Sequence, residues 1–337
     1  MENALIQSSQ RATVHELQST SLLTLCKATA DDLRLDILRV LSRDSFGVLE
    51  LCRIFDCKQS AISHHLKILA NAELVSKRRE GNSIFYRRAL SNHAKNPHKG
   101  KFTELKKEIY RAVELQKLSN EVELRLSLVQ KERAENAQSF FRDNAEKFRQ
   151  HQEQVAAYDL YAPNAKELIA SSIIASDKTV LEVGPGEGEF LAELSTQFTQ
   201  VIALDNSLEM LMKAQQFAKV EKLTNINFIQ GDTKEPSLKQ FKIECVVMNM
   251  VLHHVPSPAE MLFDVAKVLA DNGQLFITEL CSHDQSWVKE SCGDQWLGFD
   301  PVELGDWAKN AGFTEGESVY LAQRNGFRVQ IRQFLKS

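Results

Sequence analysis

The sequence predicts two folded domains in series. An amino-terminal winged helix-turn-helix, mainly α with a β-hairpin wing, is joined by a long helical connector to a carboxyl-terminal open α/β sheet. Three observations carry that expectation. Helical patterns culminating in "KQSAISHHLKILANAELV" run straight into alternating apolar and basic residues; apolar residues then recur at short helical steps from Phe102 to about Gln150; and Gly184, Gly186 and Gly188 lie between an apolar strand and a helix. The expected divisions are 1–100 for the head, 101–154 for the connector and 155–337 for the sheet domain.

The totals allow this arrangement. A chain of 337 residues is longer than one hydrophobic core usually fills. Its 43% hydrophobic and 26% charged residues supply apolar material for both parts. No apolar stretch approaches the roughly 20 residues that cross a bilayer, and MENALIQSSQ lacks the basic-then-apolar layout of a secretory signal, so a cytoplasmic protein without a membrane partner is expected. Cys26, Cys52, Cys57, Cys245, Cys281 and Cys292 include no CxxC pair, and buried reduced thiols are expected. The net charge of -4 conceals a division: residues 21–118 hold 19 Lys+Arg against 11 Asp+Glu, whereas residues 151–337 hold 15 against 26. The basic half suits a polyanion, and the acidic half argues against nucleic acid as its substrate.

In "TADDLRLDILRVLSR", Leu33, Ile37, Leu38 and Leu41 share a helical face, and Thr29 is the expected cap before two carboxylates. A second helix, Leu49 to Phe55, follows the break at Phe46-Gly47. In the third, Ala61, Ile62, Leu66 and Leu69 face inward, leaving Gln59, Ser60, Ser63, His64 and Lys67 outward to reach base edges in a major groove. "LVSKRREGNSIFYRRAL" alternates around Glu80-Gly81-Asn82, as a hairpin does. Its Lys77, Arg78, Arg79, Arg87 and Arg88 are expected to lie on the DNA backbone, where phosphate contacts fix register.

"QSAISHHLKILANAELVSKRREGNSIFYRR" resembles the winged-helix domain of arsenic-repressor (ArsR) family regulators across about residues 25–90. That resemblance implies operator DNA as a partner and a homodimer. Metal sensing in that family uses either two cysteines one residue apart on the second helix or an Asp-x-His with a distant His. Here Cys52 supplies only the first cysteine, and His93 and His98 lack the second spacing, so no metal site is expected.

In the connector, Leu105, Ile109, Val113, Leu118, Val122, Leu126 and Val129 form an apolar stripe on one long amphipathic helix or two. In the family resembled, flanking helices pair two subunits; the alternative is that the stripe packs on the chain's own second domain. Pro97, Gly100 and Pro163 are read as punctuating its ends.

"TVLEV", the glycine turn and "EFLAELSTQF" form the strand, turn, helix unit at the nucleotide end of an open α/β sheet. Dinucleotide enzymes space their glycines G-x-G-x-x-G to seat a pyrophosphate; here the third position is Glu189, whose carboxylate repels phosphate. Glu182, Glu187 and Glu189 together suit a phosphate-free ligand with a positive centre, as in S-adenosylmethionine. Further strands follow in order: "VIALDNS" ending in Asp205, "INFIQGD" ending in Asp232, "ECVVMNMVLHHV" carrying Asn249, Met250, His253 and His254, then "GQLFITEL" and a terminal hairpin turning at Arg324-Asn325-Gly326.

This order resembles the Rossmann-like (class I) S-adenosylmethionine-dependent methyltransferases over about residues 155–337. The resemblance implies that Glu182, Gly184 and Gly186, with Gly188 in the same turn, line the methionine part of the cofactor. It further implies that Asp205, with Asn206, binds ribose, that Asp232 meets the adenine, and that Asn249 approaches the methionine moiety. "DQWLGFDPVELGDWAKNAGF" and "FFRDNAEKF" are also similar to bacterial proteins joining an arsenic-repressor head to a methyltransferase. The expectation is a DNA-binding regulator fused to a methyltransferase for an unidentified small molecule; the alternative is a regulator that only senses the cofactor or S-adenosylhomocysteine. His253 and His254 are the candidate bases, and His283, Asp284, Trp287 and Trp296 the candidate acceptor lining. Arsenite as acceptor has only Cys281 and Cys292 to hold it, and "NMVLHH" lacks the N/D-P-P-Y/F pattern of amino-methylating DNA enzymes.

Overall fold

The structure, a computed structural model, describes residues 21–89, 102–144, 146, 148–172 and 178–336. His93, His98, Pro97 and Gly100 lie outside the described residues. Two compact units divide the chain: residues up to Leu126, apart from the hairpin tip Glu80–Ser83, and residues from Ser127 onward.

The first unit opens with α1 (Leu22–Thr29), α2 (Asp32–Val40), β1 (Phe46–Gly47), α3 (Val48–Phe55) and α4 (Gln59–Asn71). The caps differ from expectation. Ser21 caps α1, and Asp31 caps α2 by accepting from Arg34 N at 3.0 Å; Thr29 instead ends α1 with its hydroxyl donating to Leu25 O. A carboxylate at the cap both accepts the orphan N–H and meets the positive end of the helix dipole, which a hydroxyl does less well. Asp56, in the left-handed region at φ 52°, turns α3 into the link to α4. Leu25, Ile37, Leu38, Leu51, Ile54, Ile62, Leu66 and Leu69, drawn from all four helices, are sealed from solvent and form the core of the head.

β2 (Val75–Glu80) and β3 (Ser83–Arg88) make the hairpin, and β1 adds a third strand in the order β1-β3-β2, with Phe46 opposite Tyr86. Phe46-Gly47 is therefore a short strand as well as a break, because the fully buried Phe46 ring needs a partner strand to hold it. Arg88 also departs from expectation. It is 9% exposed, donates from Nε to Leu38 O at 2.7 Å, pairs through Nη1 with Glu114 at 2.5 Å, and stacks on the Tyr110 ring. Glu114 and Tyr110 lie on α5 (Thr103–Glu114), so Arg88 ties the hairpin to α2 and α5 and is withdrawn from any phosphate. Val113 of α5 is buried and α5 packs on α2, while Leu105 at its start is exposed.

The connector is three helices: α5, α6 (Asn120–Asn144), which begins in the first unit and continues in the second, and α7 (Phe148–Ala156). Pro163 lies inside α8 (Tyr158–Ser171) and does not end it; its missing N–H removes one bond to the carbonyl of Asp159 while the buried Tyr161, Ala165, Leu168 and Ile169 keep the helix on the sheet. The second unit is built on a seven-stranded sheet of order β6-β5-β4-β7-β8-β10-β9. Its strands are β4 (Thr179–Val183), β5 (Gln200–Asp205), β6 (Ile226–Gln230), β7 (Ile243–Asn249), β8 (Leu269–Leu280), β9 (Phe313–Ala322) and β10 (Arg328–Lys336). β4 to β8 are parallel neighbours, and β10 pairs antiparallel with both β8 and β9. The crossover helices α9 (Glu189–Gln197), α10 (Leu208–Val220) and α11 (Pro258–Val268) follow β4, β5 and β7. The central strands read as continuous apolar runs because both faces are covered: Val180, Leu181, Val201, Ile202, Val246 and Val247 are all at 0% exposure. After α12 (Val288–Ser291), α13 (Pro301–Asn310) leads into β9.

Removing Arg88 leaves the Leu38 carbonyl and the hairpin tie without a donor. Arg88→Ala is expected to cost about 1–3 kcal/mol in urea unfolding, whereas Arg79→Ala, on the exposed face of the same hairpin, stays within about 0.5 kcal/mol of the parent.

Candidate active site

The strand order reverses between β4 and β7, and a cavity of about 350 Å³ opens at the carboxyl ends of β4, β5 and β7. The glycine turn forms one wall, and its three glycines have different reasons. Gly184 (φ +66°) has no room for a side chain, since a Cβ would stand 2.8 Å from Val251 Cγ2. Gly186 (φ +59°) has nothing within 4 Å of that position and leaves open backbone on the cavity. Gly188 (φ +95°) is the N-cap of α9 and packs against α10, where a Cβ would stand 3.0 Å from Ala214 Cα, so it serves helix packing and does not line the cavity.

The expected residues gather here. Glu182, Gly184, Gly186, Asp205, Asn206, Asp232, Asn249 and Met250 all line the cavity. Asp205 closes β5, with Oδ1 accepting from Ser207 N at 2.8 Å and its carbonyl accepting from Gly231 N, so the ends of β5 and β6 are tied together. Burial pushes its carboxyl up to about 6, with the backbone N–H groups of Ser207 and Asn206 acting the other way. Asp232 is exposed at the rim, accepting from Lys234 N. Met250, just past β7, holds a left-handed φ of 58°, strain typical of a binding loop, and is fixed by its N–H to Thr278 O at 2.8 Å.

The three glutamates of the turn are not equivalent. Glu187 faces Lys213 at 2.8 Å, and Glu189 faces Arg149 at 2.7 Å, so their charge is already matched. Glu182 is 2% exposed, and neither its Oε2 nor Asn249 Nδ2 has a hydrogen-bond partner among the described residues. Burial pushes the Glu182 carboxyl up to about 8, the Asn249 side chain acting the other way. Glu182 Oε2 and Asn249 Nδ2 are thus left over in the pocket wall: a cationic ligand group would satisfy the carboxyl oxygen, and a ligand acceptor such as a carboxylate the amide N–H.

The cavity roof was not marked by any motif. Gln130, Ala134, Ala137 and Phe141 of α6, together with Tyr158 and Tyr161 of α8, complete the lining. "FFRDNAEKF" covers part of that roof, but a helix standing off the sheet carries no strand-end signal.

Of the two histidines, only His254 lines the cavity. His253 is 3% exposed behind it, its Nδ1 at 2.6 Å from Glu279 Oε1. Despite burial, the Glu279 and Asp294 carboxylates hold the His253 imidazole up at about 9; burial and the neighbouring His253 push His254 well below its ordinary value. His283, Asp284, Trp287 and Trp296 do not line the cavity. Trp296 is 3% exposed, donating from Nε1 to Val255 O at 2.7 Å, and so braces the loop after the histidines. Cys281 and Cys292 are buried thiols, Cys52 and Cys57 are half-buried, and Cys26 is exposed, against the expectation of burial throughout.

On the head, Gln59, Ser60, Ser63, His64 and Lys67 are all exposed on one side of α4, and Lys77 and Arg79 are exposed on the hairpin. Arg78 and Arg87 are half-buried, with Arg87 Nε donating to Ser76 Oγ at 3.2 Å.

A family model for a methyltransferase domain matches residues 141–329, more than half of the chain. The chain belongs to that methyltransferase family. Residues 31–77 match the helix-turn-helix of the bacterial regulatory proteins of the arsR family, so this methyltransferase carries an arsR-type head. It is similar to the ubiquinone biosynthesis O-methyltransferase of Yersinia enterocolitica (29% identical over 122 residues, 36% of this chain and 50% of that protein). It is also similar to phosphoethanolamine N-methyltransferase 1 of Triticum aestivum (30% over 131 residues, 38% and 26%). The chain spans half or less of the length of these curated relatives. Among solved structures, it resembles magnesium protoporphyrin IX methyltransferase of Synechocystis PCC 6803 (15% identical, TM-score 0.47, covering 60% of this chain and all of that one). The YcgJ protein of Bacillus subtilis is a further match (14%, TM-score 0.43, 52% and 98%). No described helix is long and apolar enough to cross a membrane.

A carboxyl whose pKa rises on folding, as at Glu182, binds its proton better in the native state. It favours folding fully below the unfolded value of 4.5 and loses that contribution as pH climbs to about 8. In urea melts of the ligand-free chain, the parent is expected to lose more stability between about pH 5 and about pH 8 than Glu182→Gln, which has no proton to lose. Parallel pH profiles for the two would remove Glu182 as the buried charge.

Proposed function

We propose that the carboxyl-terminal unit binds S-adenosylmethionine and transfers its methyl group to a small-molecule acceptor, and that the amino-terminal unit binds operator DNA as a homodimer. The observation that carries the first part is the uncompensated Glu182 in a glycine-lined pocket whose next two strand ends present Asp205 and Asp232. Glu182 and Asn249 would hold the amino group and carboxylate end of the methionine moiety, and Asp205 with Asn206 the ribose hydroxyls. Asp232 would hold the adenine amino group. The names of the two curated relatives, an O- and an N-methyltransferase, support methyl transfer as the reaction.

Methyl transfer is an in-line displacement. An acceptor lone pair forms the new bond to the methyl carbon, the sulfur–carbon bond breaks, and its electrons stay on sulfur, giving S-adenosylhomocysteine. The chain has to align acceptor and methyl at about 3–3.5 Å and exclude water, which the apolar roof of Phe141, Tyr158 and Tyr161 serves. His254, which lines the cavity wall, would take the proton of a hydroxyl or amine acceptor. His253, on Glu279, supports the turn that positions it.

For the head, the exposed face of α4 would enter the major groove and Arg78, Arg79 and Arg87 would meet phosphates. Exposed Leu22, Leu23, Leu105 and Leu115 are the surface available for pairing two copies through the flanking helices. Residues 1–100, 101–154 and 155–337 remain the proposed functional divisions.

Calorimetric titration tests the cofactor assignment. The parent is expected to bind both S-adenosylmethionine and S-adenosylhomocysteine, and Asp205→Ala to lose about 10²-fold or more in affinity for each, since one charged partner to the ribose hydroxyls is removed. Equal affinity in the variant, or preference for a pyrophosphate dinucleotide, would sink the assignment.

A second reading, in which the same ligand tunes DNA affinity, is favoured by α6, which contributes Gln130, Ala134, Ala137 and Phe141 to the cavity while its first residues belong to the amino-terminal unit. If it holds, operator affinity measured with and without saturating S-adenosylhomocysteine differs by about 5–150-fold; identical affinities leave only the enzyme.

A further inference from the structure

We propose that His253, His254 and Asp294 form a binding site for one divalent transition-metal ion of the Zn²⁺ type. It adjoins the adenosyl pocket, sharing His254 with its wall, while His253 and Asp294 lie behind. One donor atom from each of the three lies within 4.8 Å of the others, and all three residues are buried. His253 Nε2 stands 3.9 Å, and His254 Nδ1 3.6 Å, from the same Asp294 Oδ1. These separations are too long for direct hydrogen bonds. They are close to the roughly 3.3–3.6 Å that separates neighbouring donors when each sits about 2.0–2.2 Å from a tetrahedral zinc ion.

Asp294 supplies the second, independent observation. It is 4% exposed, and neither of its carboxylate oxygens has a hydrogen-bond partner among the described residues. Buried carboxylate oxygens left without hydrogen-bond donors are costly, and an ion held between Asp294 and the two rings would fill that gap. The surroundings are arranged as an outer shell. Glu279, at 0% exposure, receives the His253 ring at Nδ1 (2.6 Å) and is itself held by the backbone N–H groups of Leu280 and His253. A carboxylate on one ring nitrogen fixes the tautomer and presents the other, Nε2, to an ion. Gln295 and Trp296 donate their backbone N–H groups to His253 O, which clamps the Asp294 segment against the Leu252–His254 turn.

Charge closes the argument. Glu279 and Asp294 bring two carboxylates into one buried cluster, where a protonated His253 ring offsets one charge; a divalent ion with two neutral imidazoles would leave the cluster neutral. Two imidazoles and one carboxylate are donors that favour zinc and its neighbours over calcium or magnesium. The ion has an approach through the cavity, since His254 lines it. When the ion sits on His254 Nδ1, the ring keeps its proton on Nε2, so a loaded site takes His254 out of service as a proton acceptor.

The test uses the full chain, stripped with chelator, dialysed and titrated with CoCl₂ as a spectroscopic probe and with ZnCl₂ in competition. One equivalent of Co²⁺ is expected to give the visible d–d absorption of a four- or five-coordinate site, and Zn²⁺ to bleach it. Asp294→Asn, which keeps the shape and removes the charge, and His254→Gln are each expected to abolish that band, and Glu279→Gln to weaken binding about 10–100-fold. Circular dichroism establishes that the variants are folded, and a zinc-induced rise in Tm of the parent that both ligand variants lack is the second readout. A folded parent that shows no d–d band, or a band that survives in Asp294→Asn and His254→Gln, overturns the proposal. Because no methyl acceptor or adenosyl ligand enters these measurements, either outcome leaves the cofactor assignment standing.

Discussion

An unmatched buried carboxyl at the end of the central strand is the constraint on which the chemistry of the larger unit depends. Glu182 lies on β4, flanked by β5 and β7, and its side chain is buried where the strand order reverses. The two other glutamates of the turn are answered by Arg149 and Lys213, which leaves Glu182 as the buried site in the turn without a cation. A buried carboxyl gives up its proton most readily beside a cationic group and, once ionised, disfavours phosphate there. The rest of the sheet then places Asp205 and Asp232 at successive strand ends, at distances along the pocket set by the strand spacing and not by any local sequence.

The geometry that exposes this charge is strained, and packing holds it. Gly184 and Met250 both sit in the left-handed region on facing strand ends. The Val251 side chain closes on Gly184, and the Met250 N–H is anchored on Thr278 of β8. Strain of this kind persists only where surrounding structure over-determines it. Here the fully buried apolar strands β4, β5 and β7 supply that constraint.

What was legible in the sequence was what repeats locally. The glycine turn, the carboxylates at strand ends and the order of strands follow from short patterns, and the structure brings Glu182, Asp205, Asp232 and Asn249 to one cavity. What was not legible depended on partners far along the chain. Arg88 looks like its basic neighbours until Glu114 and Leu38 are seen to hold it. Glu187 and Glu189 look available until Lys213 and Arg149 meet them. Asp294 stands forty-one residues beyond His253 with no spacing to announce it, and only the backbone clamp of Gln295 and Trp296 brings the two together. Pro163 misleads for the reverse reason: a local rule about proline yields to the tertiary packing of α8.

The division of charge along the chain bears on how two activities share it. A basic head gains affinity for a polyanion from phosphate contacts, a term that falls steeply with salt. An acidic sheet domain adds nothing to that term, so any influence of its ligand on DNA has to be mechanical. Such influence needs the ligand to bind two states of the chain unequally, and tight binding alone moves no equilibrium. α6, like the hairpin strands β2 and β3, has residues in both units, and four of its side chains form one wall of the cavity. A ligand that touches those four differently before and after losing its methyl group would be the minimal requirement for coupling.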